Sequence, residues 1–316
     1  MDEFALIRRF FADKAGTRAD VTLGIGDDAA LLKVPPGHEL AVSTDSLIAG
    51  MHFPVTLPAD AVGHRALASN LSDLAAMGAT PAWVLMALTL PEVDEAWLEG
   101  FSRGFFALAA RHEVALVGGN VACGPLNITL TVQGLVTPGT ALTRAGACVG
   151  DLIYVTGHPG DAAAGLELLQ QGGADLRHPC VRRFAYPEPR VAAGQALRGV
   201  ASAAIDVSDG LLADLGHLLE SRGFGARLSL ERLPVSPELL ALHTPERAWE
   251  LALTGGDDYE LCFTVHAERG AEAESRVQAA GCAATCIGAI EAIPGIHCLD
   301  RKGRLRTYAH PGHRHF

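Results

Sequence analysis

Aspartate is the residue type whose placement in this chain most invites a chemical reading. Residues 24–32 read GIGDDAALL, so two adjacent carboxylates, Asp27 and Asp28, follow a glycine-rich turn. Asp45 ends the stretch ELAVSTD, Asp73 sits in an otherwise apolar helical run, and Asp206 and Asp209 flank the end of SAAIDV. An ionised carboxylate set among apolar residues is costly unless it is paired or bound to metal. The chain has only three lysines, Lys14, Lys33 and Lys302, so another kind of cation is implied. Mg2+ suits the need, because it prefers oxygen ligands and combines one or two carboxylates with water and substrate phosphates. Ser43 and Thr44, next to Asp45, add hydroxyl oxygens. Taken singly, each acid has an ordinary alternative, with Asp73 and Asp209 as helix caps and Asp27 and Asp28 as a turn. Taken together, a metal cluster accounts for all of them.

Such a cluster raises the question of a phosphorylated ligand. No GxxxxGK[ST] motif is present, which excludes a P-loop. Glycine-rich turns occur at 118–119, 156–165 (TGHPGDAAAG) and 254–258 (TGGDD). Turns of this kind can offer backbone N–H groups to phosphate, especially where a helix begins, as expected at Asp161.

Composition bounds the remaining classes. At 316 residues, with 49% hydrophobic and 19% charged residues, the chain has the profile of a well-packed globular protein of about two domains. The formal charge of -11 and the lack of any basic patch argue against a nucleic-acid partner. The start, MDEFALIRRFFADKAG, reads as an amphipathic helix and not a signal peptide, and no apolar run is long enough to span a bilayer. Seven cysteines without a CxxC pair read as reduced, mostly buried thiols, which fits a cytoplasmic protein. Cys282 and Cys286 share the one close spacing, and core packing explains it better than metal binding.

The elements that must position these acids follow from periodicity. Apolar spacing predicts helices over 61–78 and 94–112, while AWVLMALTL, VALVG and LNITLTVQGLV read as strands. The small residues and turn formers of TPGTALTRAGACVG, 137–150, mark a joint. A second set follows: strand DLIYVTG, a helix from Asp161, strand SAAIDV, helix SDGLLADLGHLLESRG, strands ARLSL and YELCFTV, then a helix and a strand around ATCIGAI. The expected fold is α+β or α/β in two domains, 1–140 and 150–316. NLSDLAAMGA and DVSDGLLADLG form a faint internal echo, each with a Ser-Asp pair near a helix.

The order of motifs carries more than any one of them. GIGDDAALL, STDSLIAGMHF, NLSDLAAMGATPAW, VGGN, ALTRAGACVGDLIYVTG, GDAAAGL, AIDVSDGLLADLGHL and LTGGDDYELCFTV, in this order, resemble the thiamine-monophosphate kinase family, in the superfamily of aminoimidazole ribonucleotide synthetase. The resemblance runs over nearly the whole chain. It implies transfer of the γ-phosphoryl group of ATP to the phosphate of thiamine monophosphate with several Mg2+ ions. It further implies a homodimer pairing through the mixed sheets of the N-terminal domains, which bind metal and nucleotide, with a C-terminal α/β sandwich completing the ATP and substrate site. Carried over residue by residue, it implies metal ligation by Asp28, Thr44, Asp45, Asp73, Asp206 and Asp209, with Ser43 as a further oxygen donor and Asp27 in support. Asp28, Asp45, Asp73 and Asp209 are the core of the catalytic set. Gly119, Asn120, Arg144 and Ser208 match nucleotide positions, and His52 of GMHF matches a substrate contact.

Three departures qualify the match. The family usually has GGD followed by two threonines and an arginine, whereas here Gly118-Gly119-Asn120 is followed by Val121, Ala122 and Cys123. Asn120 keeps an oxygen but loses the charge, so a raised Mg2+ requirement is expected. Asp257 replaces the glutamate of GGEDYEL at a substrate-contacting position. The usual C-terminal aromatic is missing, and Tyr308 or His310 is the candidate to stack on a thiamine ring. Two other readings stay open at this point: another ATP-dependent synthetase of the superfamily, or a catalytically weakened nucleotide-binding regulator.

Overall fold

Alternation in NITLTVQGLV sets the layer structure of the N-terminal half. The computed structural model describes residues 2–172, 175–220, 222–310 and 312. It divides into two units, one of residues 1–74 and 79–139, the other of 75–78 and 140–316.

In the first unit the chain runs α1 (Glu3–Phe10), β1 (Val21–Leu23), β2 (Leu31–Leu32), β3 (Glu39–Ile48), α2 (Ala59–Ala76), β4 (Thr80–Leu90), α3 (Glu95–Arg111), β5 (Ala115–Cys123) and β6 (Asn127–Val136). β3, β6, β4 and β5 form a mixed sheet in that order, antiparallel except for the parallel β4–β5 pair. Along β6, Ile128, Leu130 and Val132 are fully buried, while the intervening Asn127, Thr129 and Thr131 are half-exposed, as the two-residue side-chain period requires. Asp94 caps α3 by accepting from Ala96 N and Trp97 N at 2.9 and 3.0 Å. α2 and α3 approach through glycine. A Cβ on Gly104 would lie 1.8 Å from Asp60 O, and one on Gly63 would lie 2.1 Å from Phe101 O. That closeness lets Phe101 and Phe105 bury completely, each contributing roughly 1.5–3 kcal/mol.

The short antiparallel β1–β2 hairpin escapes sequence periodicity because its strands have three and two residues. Val21, Ala30 and Leu32 pack it onto Trp83, Ala115 and Leu135. Trp83 Nε1 donates to Asp20 Oδ1 at 3.1 Å, and Arg18 pairs with the same carboxylate at 2.8 Å. The GIGDD loop is thereby carried over the sheet.

The second unit contains β7 (Leu152–Thr156), α4 (Asp161–Gln170), α5 (Pro179–Ala185), α6 (Val191–Ala196), β8 (Ala203–Val207), α7 (Leu211–Glu220), β9 (Gly225–Ser229), α8 (Pro237–Leu242), α9 (Pro245–Thr254), β10 (Glu260–Val265), α10 (Gly270–Ala279), β11 (Ala284–Glu291), β12 (Gly295–Leu299) and β13 (Leu305–Arg306). Its seven strands are ordered β13-β12-β9-β11-β7-β10-β8, with β9–β12 the parallel pair. The expected strands and helices of this half are present. Four short helices, α5, α6, α8 and α9, were not expected, since six to ten residues give the helical period too little room; Pro179, Pro237 and Pro245 at their starts were the available signal. Both sheets mix orientations with helices segregated around them, which makes the fold α+β. No helix of the described residues is long and apolar enough to cross a membrane. All seven cysteines are free, but only Cys180, Cys262 and Cys298 are buried, so the expectation of mostly buried thiols is corrected.

Glu260 at the head of β10 is fully buried. Arg190 Nε and Nη2 donate to its two oxygens at 2.6 Å, Thr156 Oγ1 donates at 2.6 Å, and Arg183 also pairs with it. Burial alone pushes this carboxyl up, yet the two guanidiniums and the hydroxyl bring it below the usual range. Removing one partner of such a set leaves uncompensated buried charge. Glu260→Ala is therefore expected to destabilise the protein by roughly 3–5 kcal/mol in denaturant unfolding.

Candidate active site

In the first unit, the candidate residues come from β3, α2, β5 and the β1–β2 loop. Strand alternation puts Ser43 and Asp45 on one face of β3, and Asn70 and Asp73 lie one turn apart on α2. Ser43 Oγ donates to Asp73 Oδ2 at 2.5 Å. Asp45 N donates to Asn70 Oδ1 at 3.1 Å, and the Asn70 amide is itself anchored on Ala66 O at 3.0 Å. Asn70 is fully buried, and sequence reading passed over it although it stands three residues before Asp73. Thr44 lies on the opposite face. Its hydroxyl donates to Leu130 O at 2.8 Å and meets Thr131 Oγ1 at 3.1 Å, so the structure does not bring that hydroxyl to the Ser43–Asp73 pair. Asp45 sits within β3 rather than at its end, and Asp73 lies near the C-terminus of α2, where it cannot be an N-cap.

Asp27, Asp28 and Asn120 meet at one cavity of about 810 Å3, with Gly119 beside Asn120 and Phe4 and Ile7 of α1 forming an apolar wall. Asp28 N donates to Asp27 Oδ1 at 2.8 Å, fixing the turn. Both acids are exposed, as is Asp45, which corrects the expectation that these acids are buried among apolar residues; of the set, only Asp206 is buried. The 118–119 glycines are not a turn either, because they lie within β5. Gly119 has φ 148°, and a Cβ there would stand 1.8 Å from Met86 O. His52 is half-buried, and its Nδ1 accepts from Ile48 N at 2.9 Å, which leaves the proton of the neutral ring on Nε2.

In the second unit, Asp206 is the penultimate residue of the buried strand β8, and Ser208 and Asp209 form the turn before α7. The turn is organised by Asp214, a residue that sequence reading did not single out. Its Oδ2 accepts from Ser208 N, Asp209 N and Gly210 N at 3.0, 3.1 and 3.1 Å. Burial, with the Asp209 charge, pushes the Asp214 carboxyl up to about 6 against the pull of the three amides. Asp257 holds a left-handed backbone, φ 71°. Its N–H donates to Ser208 O at 2.8 Å, and Tyr259 Oη donates to its carboxylate at 3.2 Å. Asp206, Ser208, Asp209 and Asp257 are thus neighbours. Arg144 is exposed in a single 3-10 turn, and His310 is exposed. Tyr308 packs partly buried against the unit's core, and burial pushes its phenol up to about 12.

The helix start at Asp161 is closed to phosphate. Asp258 Oδ2 accepts from Gly160 N at 2.7 Å and Oδ1 from Ala162 N at 3.3 Å, so a protein carboxylate already holds those amides. Burial still pushes Asp258 well above the usual carboxylate range, and burial likewise raises Asp161, whose Oδ1 accepts from Ser236 Oγ at 2.5 Å.

The donors gathered in these places are oxygens, the set that a hard divalent cation prefers. Among the described residues, no group of three or more His, Cys, Asp or Glu could by itself hold a metal. The candidates stand in smaller sets: Asp27 with Asp28, Ser43 with Asp73, and Asp206 with Ser208 and Asp209.

Residues 26–136 match the N-terminal domain of AIR synthase related proteins, and residues 149–298 match the C-terminal domain. The chain belongs to this family. Within it, the chain is 50% identical to the thiamine-monophosphate kinase of Escherichia coli (strain K12), over 99% of this chain and 98% of that protein, and it belongs with those kinases. The crystal structure of thiamine-monophosphate kinase from Stenotrophomonas maltophilia K279a superposes with a TM-score of 0.89 at 44% identity, covering 97% of this chain and 98% of that one. AaThiL complexed with AMPPCP and TMP superposes at 0.78 with 30% identity, covering 89% of each chain.

The raised acids predict a pH dependence of stability. A carboxyl whose folded pKa exceeds its unfolded value binds its proton more tightly when folded, so the stability it provides is lost as pH rises from its unfolded value through its folded one. Asp161→Asn removes that loss while keeping an acceptor for Ser236. The melting temperature of the variant relative to the native chain is expected to rise between pH 4 and pH 7; a constant difference would show that Asp161 does not titrate differently on folding.

Proposed function

We propose that this chain phosphorylates thiamine monophosphate with ATP, giving thiamine diphosphate and ADP by direct transfer between two phosphates. The observation that carries this reading is identity of 50% with a thiamine-monophosphate kinase over 99% of the chain. The AMPPCP and TMP found with a 30% identical relative supply the donor and acceptor types. In this reading, residues 1–140 form a metal- and nucleotide-binding domain that pairs in a homodimer, and residues 150–316 complete the site. A cytoplasmic location agrees with seven free thiols.

Asp27, Asp28, Ser43, Asp45, Asp73, Asn120, Asp206 and Asp209 would hold Mg2+, without the Thr44 hydroxyl, which faces the other side of β3. Magnesium there supplies the positive charge that cancels repulsion between the two phosphates, on the order of several kcal/mol at contact, and that stabilises the spread charge of an in-line transfer. The protein's own task is placement. Gly119, Arg144 and Ser208 contact the nucleotide, Arg144 as an exposed guanidinium suited to phosphate oxygens. His52, with its ring fixed by Ile48 N, presents Nε2–H to thiamine, and Asp257 faces the substrate from its left-handed turn. Tyr308 or His310 lies against a thiamine ring. No general base is needed, because the accepting phosphate oxygen carries no proton near neutral pH.

Chromatography of a mixture of ATP, Mg2+ and thiamine monophosphate is expected to reveal thiamine diphosphate and ADP in equal amounts. Asp28→Asn and Asp73→Asn are each expected to lower kcat on the order of 100-fold, as when one preorganised electrostatic stabiliser is lost. Binding of ATP without product would instead support a regulator, and ADP release only with formylglycinamidine ribonucleotide would support a synthetase. Asn120→Asp restores a charge at the β5 edge of the cavity. Its Mg2+ activation curve is expected to move to lower concentration, and superimposable curves would reject a metal role for that position.

A further inference from the structure

The turn carrying Ser208 and Asp209, between β8 and α7, poses a problem of allocation. An aspartate or serine just ahead of a helix ordinarily spends its side chain on the helix's first amides. Here a side chain inside the helix reaches back instead: Asp214 Oδ2 gathers the N–H groups of residues 208, 209 and 210, which lie just ahead of α7. The backbone that carries the Asp209 carboxylate and the Ser208 hydroxyl is thus held from inside α7. Asp214 is only 3% exposed and lies in α7 beside Leu215 and Leu218, both in the core of the unit, so its own position is fixed by packing. The backbone has little freedom around it. Gly210 has φ 129°, and a Cβ there would stand 3.0 Å from Thr254 O. On its other side the turn is tied to the following segment by Asp257 N donating to Ser208 O at 2.8 Å.

We propose that Asp214 is a positioning residue of the phosphoryl-transfer site, holding the turn so that Ser208 and Asp209 are placed to bind nucleotide and Mg2+, an inference that rests on the reading of those two residues given above. Asp214 itself touches neither metal nor substrate. A serine or threonine cap would hold one amide of the turn, whereas one carboxylate oxygen holds three and sets their mutual angles.

The test compares Asp214→Ala and Asp214→Asn with Leu218→Ala, which opens the buried face of the same helix and serves as the structural control. Mg2+ is titrated against two readouts: thermal stabilisation in the presence of AMPPCP, and turnover. Loss of a partner that orients metal ligands costs about 10–100-fold in metal affinity. Asp214→Ala is therefore expected to raise both Mg2+ midpoints by about 10-fold or more, with kcat at saturating Mg2+ and KM for thiamine monophosphate little changed. Asp214→Asn keeps an acceptor oxygen in place and is expected to recover most of the loss. Leu218→Ala should lower the melting temperature and leave the midpoints alone. Should the alanine variant not fold, Asp214→Ser takes its place in the same comparison. Midpoints in the Asp214 variants that follow Leu218→Ala, with normal wild-type behaviour, overturn the role of Asp214. A wild-type melting temperature indifferent to Mg2+ with AMPPCP overturns the metal reading beneath it, and the positioning role with it.

Discussion

The constraint on which this protein turns is the disposal of negative charge. It carries 36 acids against 25 lysines and arginines, and the fold sorts those acids by direction. Carboxylates that face inward find fixed donors: Asp214 and Asp258 take backbone amides, and Glu260 takes two guanidiniums and a hydroxyl. Asp27, Asp28 and Asp45 are exposed, and in the function proposed above they are ligands of Mg2+. Burying them would have demanded internal partners of the same kind, and partners of that kind would have occupied the carboxylate oxygens that this proposal assigns to metal. Exposure is therefore the condition under which a carboxylate stays available as a ligand.

The same sorting explains how the phosphates of a nucleotide must be met. Glycine-rich turns and helix starts are the usual anion sites of α/β proteins. In this chain the amides at 160 and 162 and at 208–210 are already bonded to aspartates, which agrees with the proposal that positive charge for phosphate comes from bound metal and from arginine. With only three lysines and these two sets of amides taken, the proposal gives the exposed carboxylates the task of collecting that charge.

What the sequence made legible follows from length and period. β4, β6, α2 and α3 are long and strongly periodic, and each was expected close to where it lies. The β1–β2 hairpin and the short helices between residues 179 and 254 were not, since they persist through packing on neighbours and not through a pattern of their own. The acids of the candidate site were found because they break apolar runs, and the order of motifs tied them to a family. Their exposure was misjudged, because apolar neighbours in sequence point to the opposite side of a strand or loop. Asp214 and Asp258 were overlooked for a different reason. Gly160 and Asp258 stand 98 residues apart, so nothing in GHPGDAAAG tells that its amides have an internal owner. DDYEL carries three acids, of which Asp258 and Glu260 turn inward; Asp257, half-buried, was the one singled out in the sequence.

Glu260 has a consequence for the order in which the chain becomes a protein. Its partners at 156, 183 and 190 precede it by 104, 77 and 70 residues, so on a ribosome adding roughly 5–20 residues per second the hydroxyl and both guanidiniums emerge several seconds before the carboxylate that will neutralise them. Until then the nascent C-terminal half holds two cations and no counter-charge at the heart of its sheet, and β10 cannot be seated between β7 and β8. That sheet cannot be completed until the chain has passed Glu260, and a truncated chain stopping short of it lacks the carboxylate that joins β7 to the two arginines.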